Sequence, residues 1–251
     1  MGKLEGKYIA IFKYGDVPEN DVYGKVIDST DFDGYTKYTL LKADGTTCEV
    51  TDQFREVSDY EGYFTHIHSD VYDYQKAIDN SVKVLKELLG EDNFMKALTI
   101  ADKCSDRLEP YKVGEEVIVF PIEENYFHVA KRETGTVTSV EAADDLKYEP
   151  YYVHKGFNFP FYIPKYTIET QNGNRCFYGN DWFFNSSFIG TQDEFIRFLV
   201  VCIRKYLKEI QTIETIRGEL YSEIKDVPGA DTRLMRHPIE CHDPFGDQMS
   251  L

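Results

Sequence analysis

Lys37-Tyr38-Thr39-Leu40-Leu41-Lys42-Ala43-Asp44-Gly45-Thr46-Thr47-Cys48 aligns without a gap with Lys165-Tyr166-Thr167-Ile168-Glu169-Thr170-Gln171-Asn172-Gly173-Asn174-Arg175-Cys176. Lys-Tyr-Thr, the glycine and the cysteine coincide, and Asp52 and Phe54 fall opposite Asn180 and Trp182. Each stretch has alternating apolar residues, then Asp44-Gly45 or Asn172-Gly173, then a second run. Those dipeptides accept positive φ and match the twist of paired strands, so each stretch predicts a β-hairpin. Two hairpins of one design predict an internal duplication.

The likeness extends upstream. Tyr8-Ile9-Ala10-Ile11-Phe12 and Tyr23-Gly24-Lys25-Val26-Ile27 precede the first hairpin, and Glu116-Val117-Ile118-Val119-Phe120 and Thr134-Gly135-Thr136-Val137-Thr138 precede the second. A strand, a polar loop, a Gly-led strand and a hairpin follow one another twice, with glycine where a small sheet must bend tightly. In this order, and in Gly24-Lys25-Val26-Ile27 and Val113-Gly114-Glu115-Glu116-Val117, the chain resembles small SH3-like barrels of the Tudor and KOW type. The resemblance is one of fold, covers about half the chain and implies two small β-barrels. It brings no functional residue with it.

Helices are expected after each unit. Val71, Tyr74, Ile78, Val82, Leu85 and Leu89 recur at helical spacing, with Ser69 and Asp70 as candidate caps and Gly90 as a stop. Phe94, Leu98, Ala101 and Leu108 form a second pattern ending before Pro110. Thr191-Gln192-Asp193-Glu194 has capping-box spacing and opens a stripe of Leu199, Ile203, Tyr206, Ile210 and Ile213, widened by Val200 and Val201. Continued to Lys225, that helix would be about 50 Å long. It either packs along both units or breaks near Gly218, and its apolar stripe offers a route to a homodimer.

The expected fold class is therefore α+β, with two SH3-like small β-barrel units, each followed by helices, the last helix long. Its parts are a first unit at 1–68, a helical pair at 69–109, a second unit at 110–189 with an aromatic insertion at 146–164, a long helix at 190–225 and a tail at 226–251. Pro228, Gly229, Pro238 and Pro244 predict that this tail is extended or disordered unless a partner orders it.

Among the 251 residues, 28 basic side chains face 44 acidic ones, for a net charge of -16. That balance argues against direct nucleic-acid binding, which needs clustered Lys and Arg, and against docking on anionic lipid. A hydrophobic share of 42% and an aromatic share of 15% exclude a wholly disordered acidic chain. Without a signal-peptide run or a long apolar span, the expected location is cytoplasmic. Cys48, Cys104, Cys176, Cys202 and Cys241, odd in number and widely spaced, are expected as free, mostly buried thiols.

The search for chemistry finds no GxGxxG, Walker-type or GxSxG loop. His66-Ile67-His68 would put two imidazoles on one face of a strand, but zinc needs further ligands that the sequence does not supply nearby. His237, Cys241, His242 and Asp243 lie in the Pro-rich tail without a Cys-x-x-Cys pair. Cys48 and Cys176 hold equivalent strand positions, which favours burial over nucleophilic catalysis. No catalytic residue, metal or cofactor is expected.

The candidate site residues are acids and aromatics. Asp16, Glu19, Asp21, Asp28, Asp31 and Asp33 crowd the early loops of the first unit. Glu141, Asp144, Asp145 and Glu149 occupy the matching region of the second. The insertion between Gly135 and Lys165 carries Tyr148, Tyr151, Tyr152, Phe157, Phe159, Phe161 and Tyr162. Acids of this kind either keep a surface soluble or steer a basic partner, and exposed rings bordered by acids form a contact surface or a cage for a cation. The leading expectation is a non-enzymatic acidic protein that binds a basic protein partner, such as a phage-encoded anti-defence inhibitor or nucleic-acid mimic. Alternatives are a Tudor-like reader or adaptor of a cationic peptide, and an enzyme of unrecognised type.

Overall fold

The computed structural model describes residues 4–13, 18–105, 107, 110–121, 131–142, 164–178, 187–226, 233 and 242–246. They form a mixed α+β chain that divides into two compact units, Met1–Lys76 with Arg204–Leu251, and Ala77–Ile203.

In the first unit, β1 (Tyr8–Phe12), β2 (Val22–Phe32), β3 (Tyr35–Leu41), β4 (Thr47–Thr51) and β5 (Glu56–Asp59) form an antiparallel sheet in the order β5-β1-β2-β3-β4. The interior strand β1 is a continuous apolar run and is buried from Ile9 to Phe12, as befits a strand covered on both faces. β2 serves two partners. Its start pairs with β1 (Ile9↔Gly24), and the strand then runs on beside β3 as far as Phe32↔Tyr35. A bulge at Ile27, between Val26 and Asp28, interrupts that second ladder. Ile9, Ile11, Val26, Tyr38 and Leu40 form the core, with Cys48, Val50 and Val57 packed beside it.

The second unit contains β6 (Glu116–Pro121), β7 (Glu133–Ala142), β8 (Pro164–Thr170), β9 (Gly173–Tyr178) and β10 (Ser187–Gly190), in the order β10-β6-β7-β8-β9. This order is the same as in the first sheet. Val117↔Gly135 repeats Ile9↔Gly24, Val137↔Ile168 repeats Val26↔Leu40, and a bulge recurs between Val137 and Ser139. Val117, Val119, Val137, Tyr166, Ile168, Phe177 and Ile189 form the core with Tyr111.

The hairpins depart from the gap-free alignment by one residue. β3 and β4 last pair at Leu41↔Thr47, whereas β8 and β9 close at Thr170↔Gly173. Tyr38 therefore faces Val50, and Tyr166 faces Phe177. A one-residue slip exchanges the faces of a strand. Phe177 is buried as a result, and Cys176 is exposed. The expected burial of both repeat cysteines is thus corrected: Cys48 is half-buried, as is Cys104, and of the described cysteines only Cys202 is fully buried.

A long helix follows each sheet, capped by the last residue of β5 in the first unit and by the residue after β10 in the second. Helix α1 (Tyr60–Leu89) starts where Asp59 accepts the Gly62 N–H at 2.9 Å. A shorter α2 (Lys96–Lys103) follows it. Helix α3 (Gln192–Ile224) starts at Thr191, which donates its N–H to the Glu194 carboxylate at 2.7 Å, while its hydroxyl accepts the Glu194 N–H at 3.4 Å. This is the capping box that the sequence predicts. α3 runs unbroken through Gly218, whose surroundings are open, so that glycine costs only its intrinsic ~1 kcal/mol. The division between units falls inside both helices. Each unit thus holds the start of the helix that follows its own sheet and the end of the other long helix.

Four sequence expectations change here. α1 begins at Tyr60, not after Ser69, because Tyr60, Tyr63, Phe64 and Ile67 already form its buried stripe. His66 and His68 consequently lie two apart on a helix, where they do not share a face. His66 stacks on Phe12 (centroids 4.9 Å) and meets Asp70 at 3.5 Å. The tail is not wholly extended: Phe245 is 3% exposed in a turn where its N–H meets the Asp243 carboxylate at 2.8 Å. Val201, included in the α3 stripe, is exposed.

Candidate functional site

The acids expected in the early loops of the first unit lie mainly on β2 and around its tip. Asp28 and Asp31 are on the strand, Asp33 is at the turn that follows, and all three are exposed. Glu19 sits in a short 3₁₀ turn with Lys208 Nζ 3.8 Å from its carboxylate. Asp21 has a structural task, accepting the buried Tyr63 hydroxyl at 2.7 Å. Glu141 is exposed on β7. Asp16, Asp144, Asp145, Glu149, Tyr148, Tyr151, Tyr152, Phe157, Phe159, Phe161 and Tyr162 lie outside the described residues.

Two sequence-distant turns meet around Asp31. The first is the β2–β3 hairpin, closed by Asp33-Gly34, with Gly34 at φ +88° as such a turn requires. Its last cross-strand pair is Phe32↔Tyr35, whose rings stack at 5.0 Å with 14° between planes. The second is the β4–β5 turn, where the Arg55 N–H bonds to the Asp52 carbonyl at 2.9 Å. Asp31, Phe32, Gly34, Tyr35, Thr36, Asp52, Arg55 and Val57 line one open depression.

Both carboxylates in it are held from behind. Asp52 accepts the Thr36 N–H at 2.7 Å and the Tyr38 hydroxyl at 3.3 Å, and Asp31 accepts the Thr36 hydroxyl at 2.9 Å. Burial pushes the Tyr38 phenol up, and the charges of Asp52 and Asp31 act the same way, against a hydrogen bond with Thr36. In the same turn as Asp52, Phe54 is 87% exposed at φ 60°. A large side chain at positive φ carries strain of about 1–3 kcal/mol. An exposed ring held at that cost is better placed to contact something than to fill a core.

The sequence reading found Asp31 and missed Phe32, Tyr35, Asp52, Phe54 and Arg55. A signal was present, since Asp33-Gly34 flanked by two aromatics is itself a hairpin signature.

Other polar clusters are occupied in holding the fold. In the second unit Glu194 accepts from Arg107 Nε (3.2 Å), the Tyr111 hydroxyl (2.9 Å) and the Thr191 cap. Arg107 also bridges Glu115 and lies 4.2 Å from the Tyr111 ring centroid. In the first unit the Tyr60 hydroxyl donates to Glu223, and that of Tyr23 to Glu219. Burial, with Glu223 and Asp21 beside them, drives the Tyr60 and Tyr63 phenols far above their usual range. Among the described residues no three His, Cys, Asp or Glu converge to hold a metal ion, and no helix is long and apolar enough to cross a membrane.

Compared with family models, curated proteins and solved structures, the chain finds no match in any of the three.

Proposed function

We propose that this is an acidic, non-enzymatic binding protein that engages a basic protein partner, in the manner of an inhibitor or nucleic-acid mimic. The observation that carries the reading is the β2–β3 hairpin, along which Asp28, Asp31 and Asp33 stand exposed and which ends in the stacked Phe32–Tyr35 pair. A net charge of -16 adds a field that draws cations from a distance. A second reading, a Tudor-like reader or adaptor of a short cationic peptide, is favoured by the Phe32–Tyr35 stack at the tip of an acidic hairpin.

The finer architecture belongs to the same proposal. Each sheet with its following helix is one copy of a duplicated SH3-like unit. The shared strand order, matching bulges and matching cap positions at Asp59 and Thr191 support this.

Replacing Asp28, Asp31 and Asp33 together by asparagine should slow association with polyarginine about threefold to tenfold, by weakening the local part of the steering field. Thermal stability should stay unchanged, because these side chains are exposed. Stopped-flow association measured beside thermal unfolding checks this. A triple variant that associates at the original rate would overturn the assignment to this face.

A further inference from the structure

We infer that the two sheet-and-helix copies fold as a helix-swapped pair: the far half of each long helix completes the core of the other copy, and neither copy is stable without it. The inference rests on the duplication proposed above and is independent of the basic-partner reading. It adds a dependence of each copy on the other that a shared strand order does not imply.

The two helices carry one register. Counted from the caps Asp59 and Thr191, Tyr63 and Phe195 occupy the same position, as do Ile67 and Leu199, and all four are buried. The match continues past the unit division, with Ile78 matching Ile210 and Val84 matching Ile216, again all buried. The near positions lie in the unit of the helix's own sheet, and the far positions lie in the other unit.

The far ends make matching polar contacts as well. Glu87 and Glu219 share a position when counted from their caps. In the first unit, Glu219 of α3 accepts the Tyr23 hydroxyl at the start of β2. In the second, Glu87 of α1 meets Arg132, just before β7, at 2.8 Å. One residue type at one helical position therefore reaches the second strand of the other copy's sheet in both units. A reciprocal swap requires that match, and unrelated packing does not.

Each partner in the swap needs the other. Ile213 and Leu220 of α3 are fully buried in the first unit, and Tyr206 stacks on Tyr74 at 5.3 Å. Glu223 takes both the Tyr60 hydroxyl and the Ala43 N–H. Without this half-helix the first unit is Met1–Lys76, near the size at which a single core becomes marginal. The half-helix depends on the sheet in turn, because most helical stability in a protein comes from a packed face. The two copies thus behave as an obligate dimer joined in one chain.

The experiment is residue-resolved amide hydrogen exchange on the full chain, comparing the slow amides of β1 with those of β6. Both sets should show one common opening constant. Leu220→Ala, near the end of α3, should speed both by the same factor, at least about a hundredfold, as truncation of an enclosed leucine does. Leu85→Ala, near the end of α1 and also fully buried, should do the same. Should these variants be too unstable to measure, Ile213→Val removes one buried methyl group and should speed both sheets about 2- to 10-fold. Faster exchange in β1 alone after Leu220→Ala would mean that the second copy stands without the first, and would overturn the inference. Faster exchange in β6 alone would mean that each copy keeps its own helix, and would overturn it too. Either result leaves the duplication standing on the equivalence of Gly24 and Gly135.

Discussion

Replacing Phe195 by alanine should remove about 3–5 kcal/mol of stability, as truncation of a fully enclosed ring does. Phe195 is 0% exposed in the first turn of α3. Its ring meets Phe120 at 5.5 Å and Phe188 at 5.5 Å, and those two stack on each other at 5.1 Å. Phe120 and Phe188 are themselves cross-strand partners on β6 and β10. The ring therefore pins the helix to the two strands that precede and begin the second sheet's ladder. Gly190 packs against the same cluster, since a Cβ there would lie 2.5 Å from the Phe188 ring. Urea unfolding should show a lower midpoint with an unchanged slope. A loss below about 1 kcal/mol would mean that the cluster relaxes around the hole.

The next largest effect is expected from a matched pair, Gly24→Ala and Gly135→Ala. A Cβ on Gly135 would stand 2.6 Å from Ile168 Cγ2 and 2.7 Å from the Glu169 carbonyl oxygen. On Gly24 it would stand 2.8 Å from the Leu41 carbonyl oxygen and 3.1 Å from Leu40 Cβ. In both sheets the glycine lets the third strand cross close over the second, and a backbone carbonyl cannot swing away as a side chain can. Each substitution should cost about 1–3 kcal/mol, the usual range for forced overpacking. Thermal unfolding of the two variants side by side tests the equivalence of the sheets. A damaging change at one glycine with a neutral change at the other would contradict it.

The matched glycines also show what the sequence discloses. Gly24 and Gly135, the paired Lys-Tyr-Thr runs and the Thr191 capping box are local signals, and each stands where it was read. The start of α1 was hidden because Tyr60, Tyr63 and Phe64 favour strands by propensity, while tertiary burial decides for helix. The slip that turns Cys176 outward was hidden because it depends on how many residues the second hairpin leaves unpaired, which the gap-free alignment assumes. The candidate site was half legible. Charge pointed to Asp31, but Asp52 and Arg55 belong beside it only because β4 and β5 bring their turn back to the β2–β3 tip. Adjacency of that kind has no sequence period.

The central claim is that charge draws a basic partner to this protein. The most direct measurement is the rate of association with polyarginine from low to moderate salt. The Debye length contracts from ~30 Å at 0.01 M to ~8 Å at 0.15 M, so a field made by -16 charges should reach far less into solution. The account predicts a steep fall in association rate over that range, with dissociation much less affected. An association rate indifferent to salt would contradict it.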